Sequence, residues 1–147
     1  MSEQRRAPKR PIEKVITMIS HNAVSTTLVE TQLRETASVE TLIRVVGSCS
    51  VVFGANPGHF SLAVIKVPEG YSALNVSLTD STEFYEAPSD VLWAVAGDII
   101  SGGIIKYDID VKGMRKLKVG DKIIFVSRAS TTDVIDLTGV LTSFYKQ

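Results

Sequence analysis

The sequence predicts an all-β fold, an antiparallel sandwich or barrel of eight strands, and three observations carry that prediction. Short runs rich in Val, Ile, Thr, Leu and aromatic residues follow one another from Val15 onward, which is the composition of strands. Clusters of Gly, Pro, Asn, Asp and Ser separate the runs, as turns require. No amphipathic helical pattern stands between them, so the crossover helices of a parallel α/β sheet have no counterpart here.

The expected strands are 15–19, 26–33, 41–53, 60–67, 91–100, 104–112, 122–128 and 134–145. The clearest is 104–112, where Ile105, Tyr107, Ile109 and Val111 alternate with Lys106, Asp108, Asp110 and Lys112. Such alternation places one face in a core and the other in water. Turns are expected at Gly54-Ala55-Asn56-Pro57-Gly58, Pro68-Glu69-Gly70, Ser101-Gly102-Gly103, Val119-Gly120-Asp121 and 129–133. Segment 72–85 is rich in Ser, Thr and β-branched residues and is expected to be a long loop. Its Leu74, Val76, Leu78 and Phe84 fall outside the strands and need cover, which points to contacts between subunits.

At 147 residues the chain has room for one domain with its own core. The division expected is a basic, flexible arm over 1–14 and a β body over 15–147. The arm holds Pro8, Pro11 and little apolar surface, too little to offset the entropy of ordering. Nothing approaches the run of about 18 apolar residues that spans a membrane, and no apolar signal core follows the N-terminal charges. Synthesis inside a cell and no membrane partner are therefore expected. The one cysteine, Cys49, cannot form an internal disulfide and sits within a strand, where a buried, inert thiol is expected.

Charge is balanced overall, with 16 basic and 16 acidic residues, but unevenly distributed. Residues 1–14 carry Arg5, Arg6, Lys9, Arg10 and Lys14 against two glutamates, a net +3. Residues 112–122 carry Lys112, Arg115, Lys116, Lys118 and Lys122 against Asp121, a net +4. Between Lys66 and Lys106 there is no basic residue, and Glu69, Asp80, Glu83, Glu86, Asp90 and Asp98 make that stretch −6. This pattern suits a subunit with one surface toward a polyanion and another toward solvent. An unstructured cationic arm meets the phosphate backbone without reading sequence, although a solubilising tail or localisation signal would carry the same charges, and edge lysines at 112–122 would also guard against aggregation. The 112–122 cluster contains no aromatic residue on which bases could stack, so contact through phosphates is expected there as well.

Catalytic signatures are missing. Two histidines, His21 and His59, and one cysteine cannot supply the ligands of a structural zinc site within one subunit, and no Gly-x-Ser-x-Gly elbow is present. Gly102-Gly103 is a turn, since no phosphate-loop lysine follows it. Asp108 and Asp110 share a strand face and could approach a hard cation, but their alternation with Lys106 and Lys112 fits a solvated face better. No enzymatic activity, cofactor or metal is expected.

A short Arg/Lys arm before about 130 residues of eight strands resembles the small single-jelly-roll capsid proteins of circular single-stranded DNA viruses of the circovirus-like kind. The stretches that carry the resemblance are Glu40-Thr41-Leu42-Ile43-Arg44-Val45-Val46-Gly47 and Ile109-Asp110-Val111-Lys112-Gly113-Met114-Arg115-Lys116-Leu117-Lys118-Val119-Gly120-Asp121. The arm is shorter and less basic than is typical of that family. The resemblance implies a jelly roll of two four-stranded sheets that self-assembles into an icosahedral virion, with the arm turned inward onto single-stranded DNA. Its nucleic-acid-binding residues would be Arg5, Arg6, Lys9, Arg10, Lys14, Lys112, Arg115, Lys116 and Lys118. The same architecture also hosts lectin- and cupin-like modules with no viral role. A sugar pocket would draw on Trp93, Tyr71 and Tyr85 near Glu83 and Asp90.

Overall fold

The computed structural model describes residues 11–55, 58–70, 90–99, 101–130 and 135–147. They form eight strands: β1 (Ile12–Val24), β2 (Val29–Glu35), β3 (Glu40–Phe53), β4 (His59–Val67), β5 (Asp90–Asp98), β6 (Ile104–Leu117), β7 (Lys122–Ala129) and β8 (Ile135–Lys146). Every expected strand is present. Residues 1–10 of the arm and segment 72–85, with Leu74, Val76, Leu78 and Phe84, lie outside the described residues.

The strands make two antiparallel four-stranded sheets, ordered β1-β8-β3-β6 and β2-β7-β4-β5. In a chain folded back on itself between β4 and β5, the successive pairs are β4 with β5, β3 with β6, β2 with β7 and β1 with β8, and all four are hydrogen-bonded. Rolling that long hairpin adds the β3–β8 and β4–β7 seams and closes a jelly roll. The eight-stranded jelly-roll sandwich is therefore the fold of the chain.

Several expected boundaries move, β2 running over 29–35 and β1 on to Val24, and two shifts involve basic residues. β1 begins at Ile12, so Ile12, Glu13 and Lys14 belong to the sheet and not to the arm; they pair with Lys146, Tyr145 and Phe144 of β8. Polar residues at a strand end form no apolar run to read, yet their backbone still completes the ladder. β6 likewise continues through Leu117, and most of the basic cluster lies on this edge strand.

The core-facing set of β6 follows the alternation. Ile109 and Val111 are buried, and Ile105 and Tyr107 are half-buried and packed against the same cluster. Leu42, Val45, Leu137 and Leu141 join them from the same sheet, and Leu62, Ile123 and Phe125 from the facing one, among others. β4 is buried on both sides: Leu62 and Val64 enter this core, while Ala63, Ile65 and Val67 join Ile124 and Val126 in a second cluster. Cys49 lies in the main core, where burial pushes its thiol up to about 11. Gly47 is needed because β8 passes against it; a Cβ there would overlap the Val140 carbonyl oxygen.

One polar group crosses the core. His21 of β1 is 2% exposed; its Nδ1 hydrogen-bonds Ser127 Oγ of β7, and its Nε2 hydrogen-bonds Thr31 Oγ1 of β2 at 2.8 Å. The imidazole thus ties the two sheets together in its neutral form, and burial depresses its pKa to about 4. Below its ordinary value near 6.5, the unfolded chain binds a proton that the folded chain refuses. Stability is therefore complete above pH of about 6.5 and falls as pH drops toward about 4, by up to roughly 3 kcal/mol. Denaturant titrations across that window should show the loss, and His21→Gln should flatten it. Ile109→Ala should cost on the order of 2 to 5 kcal/mol in the same titration at neutral pH.

Candidate nucleic-acid interface

Strand register places side chains from distant parts of the sequence in rows across the outer face of the β1-β8-β3-β6 sheet. One row reads Ile12, Lys146, Thr41, Lys116, and the next reads Lys14, Phe144, Arg44, Lys112. The intervening residues Leu42, Ser143 and Tyr145 are buried, so these rows face outward. Neighbours within a row are about 5 Å apart; the two rows are about 7 Å apart on β1 and β8 and diverge on β6, where Lys112 and Lys116 lie four residues apart on either side of a register shift. Five cations from four strands therefore share a small area, and neither row contains an acidic residue.

A bulge makes this possible. Leu42 pairs with Tyr145 and Arg44 with Phe144, leaving Ile43 as the extra residue. Two-residue alternation would have turned Arg44 inward with Leu42; the bulge turns it outward. There its guanidinium meets Asp110 of the next row through Nε and Nη2, both at 2.9 Å, and Lys112 Nζ lies 3.6 Å from the same carboxylate. These partners hold the Asp110 carboxyl below its ordinary range. Asp110 is thus engaged by cationic side chains, while Asp108 stands one row further on, opposite Ser48.

The residues expected to bind nucleic acid are divided by this geometry. Lys14, Lys112 and Lys116 lie in the two rows. Arg115 pairs with buried Leu42 and so falls on the core-facing side of the edge strand. Lys118 sits in the turn after β6, where its backbone N–H donates to Asp121 Oδ2 at 2.9 Å. Arg5, Arg6, Lys9 and Arg10 are outside the described residues, but the strand they precede enters the sheet at Ile12, within the first row. Arg44, Lys146 and Phe144 were missed by a reading along the sequence. Each is isolated among uncharged or apolar neighbours, and only pairing between strands assembles them. The 112–122 cluster itself has no aromatic residue, but strand register brings Phe144 of β8 into the row that Lys112 completes.

The same end of the sandwich is held by one arginine. A second bulge, at Leu33, lets Arg34 pair with core-facing Ile123 and turns it toward the interior. Its guanidinium donates to Glu40 at 2.8 and 2.7 Å and to Glu13 at 2.8 and 2.7 Å, and lies 4.5 Å from the centre of the Tyr145 ring. The Glu40 side chain is 1% exposed. Arg34 thereby links β2 of one sheet to the ends of β1, β3 and β8 in the other, beneath the basic rows.

The remaining groups considered for chemistry are engaged elsewhere. His59 Nδ1 lies 2.6 Å from Asp98 Oδ1 in an exposed pair. Trp93 packs against the main core, edge-on to Tyr107; Tyr71, Glu83 and Tyr85 lie outside the described residues. Among the described residues no group of three or more His, Cys, Asp or Glu side chains is placed to hold a metal ion.

No family model and no curated protein matches the chain. Among solved structures, a chain of Desmodium yellow mottle tymovirus is similar at 12% identity and a TM-score of 0.40, over 99% of this chain and 92% of that one.

Removing the Arg34 guanidinium would leave Glu40 charged and buried without its partner. Arg34→Ala should cost roughly 3 kcal/mol in a denaturant titration. Glu13→Gln, at the exposed side of the clamp, should cost less and should speed amide exchange at residues 12–14.

Proposed function

We propose that this chain is a viral coat protein that assembles into a closed shell and holds single-stranded nucleic acid by charge. The observation that carries the reading is the convergence of Lys14, Arg44, Lys112, Lys116 and Lys146 on one sheet face, where the strand following the basic arm begins. Coulomb repulsion opposes such clustering, and a polyanion relieves it by exchanging condensed counterions for fixed cations. The jelly roll is compatible with a shell, but it hosts other roles too, so the charge placement bears the weight. The resemblance in layout to circovirus-like shells favours circular single-stranded DNA as the cargo and the virion as the place where the protein acts.

Assembly is the second part of the proposal. Beyond the basic rows, edge strand β1 exposes Ile16 and Met18, and Val140 stands directly opposite Met18 on β8. An apolar strip on a sheet edge invites pairing with another chain. In a shell a second copy covers it; symmetric self-association is the ordinary way such a surface is used.

Light scattering and electron microscopy of the full chain over a range of salt should show closed particles, and Met18→Lys should prevent them while leaving a folded β body. Monomer under all conditions would end the assembly reading. Nucleic acid recovered from particles should be destroyed by DNase and spared by RNase if the cargo is DNA. Binding to single strands should weaken with salt at a log-log slope of roughly 0.7 per phosphate contacted. Replacing Lys14, Lys112, Lys116 and Lys146 by Ala should lower that slope, and replacing Arg5, Arg6, Lys9 and Arg10 by Ala should lower it separately. A slope unchanged by either set would remove the nucleic-acid role.

A further inference from the structure

We propose that Phe144 is a stacking platform for an unpaired base of single-stranded nucleic acid, with the surrounding cations holding the phosphates on either side. The inference rests on the nucleic-acid reading above and deepens it by naming the form of the ligand and the residue that selects it.

Phe144 is half-buried on the outer face, between Lys14 on β1 and Arg44 on β3 in the same row. It belongs to neither apolar cluster, so core packing does not account for a large ring at this position. Lys146 and Lys116 stand in the row beside it, and Lys112 completes its own. Residues directly opposite on neighbouring strands bring their Cβ atoms within about 5 Å, so cationic side chains flank the ring on both sides.

This combination suits one class of ligand. A flat aromatic face on a sheet surface accepts any base by stacking, and the flanking cations reach phosphates of the same strand. In a duplex the bases already stack on one another inside two phosphate backbones, and a short side chain on a flat sheet does not reach them. Phosphate alone would use the lysines and leave the ring idle. The ring therefore discriminates between strands with and without accessible bases, while the cations set overall affinity and its dependence on salt.

The experiment compares the full chain with four probes of equal phosphate count: oligothymidylate, oligouridylate, an abasic deoxyribose strand, and duplex DNA. The parent should bind oligothymidylate or oligouridylate more tightly than the abasic strand and the duplex; equal binding to all four overturns the platform without using any variant. Of the two base-bearing strands, the tighter binder distinguishes a DNA from an RNA ligand. Phe144→Leu, checked for a parental circular dichroism spectrum, should lose roughly five- to 100-fold for base-bearing strands. Its abasic affinity and salt slope should stay as in the parent. Phe144→Trp should keep tight binding, and its added fluorescence should be quenched by oligothymidylate. A leucine variant that binds base-bearing strands like the parent, loses abasic binding equally, or changes only particle size overturns the proposal. A parent with no salt dependence on any probe instead defeats the broader nucleic-acid reading, so the two failures are told apart.

Discussion

The Arg34 guanidinium is the point on which one end of this sandwich depends. At this end Tyr145, Leu42 and Leu117 supply apolar packing, but that packing is non-directional. Arg34 supplies direction instead. Its planar fork meets two carboxylates and lies close to an aromatic ring, a set of demands that a lysine would not meet. The buried Glu40 carboxylate makes the arrangement obligatory, since a charge removed from water needs its partner. Because Glu13 is one of the ligands, the first residues of β1 are fixed to the body, and Lys14 with them. The outward rows are thus built upon an inward clamp.

Both arginines that matter most are aimed by bulges. A single extra residue at Leu33 turns Arg34 inward, and another at Ile43 turns Arg44 outward. Without them the two side chains would exchange environments: Arg34 would face water, and Arg44 would be driven inward beside buried Leu42. Bulges also strengthen local twist. They therefore shape the end of the sheet on which the basic rows lie, and the same device serves stability on one face and charge on the other.

What was legible in the sequence follows from the physics of strands. Apolar runs between turn residues located all eight elements, and the unbroken alternation from Ile105 to Val111 identified the core face of β6. Boundaries set by polar residues were not legible: Ile12–Lys14 and 115–117 join the sheet because a neighbour offers hydrogen bonds, not because their composition asks for it. The bulge in β3 left a trace, since the inward set passes from even-numbered Leu42 to odd-numbered Val45, Cys49 and Val51. The bulge in β2 left none, because only Arg34 and Glu35 follow it. The candidate interface was half visible. Lys112 and Lys116 announce themselves as a cluster, whereas Lys146, Arg44 and Phe144 become neighbours only through the order β1-β8-β3-β6, which no local pattern encodes.

That order also determines how folding and ligand binding are coupled. In water, two like charges 5 to 7 Å apart repel by roughly 0.6 to 0.8 kcal/mol, and physiological salt screens them over about 8 Å. Five cations in two rows therefore oppose the folded state by an amount that counterions only partly relieve; the Arg44–Asp110 pair, exposed as it is, recovers little. The core beneath is what tolerates this repulsion, through Leu42, Leu141 and Tyr145 on the inner side of the same strands. In the unfolded chain those cations are scattered from residue 14 to residue 146 and bind a polyanion weakly, so a strand that neutralises the rows binds the folded form in preference and stabilises it by mass action. Sheet order, bulge placement and the Arg34 clamp thus converge on one consequence of the proposed role: a polyanion bound across the outer rows would also stabilise the end of the sandwich that displays them.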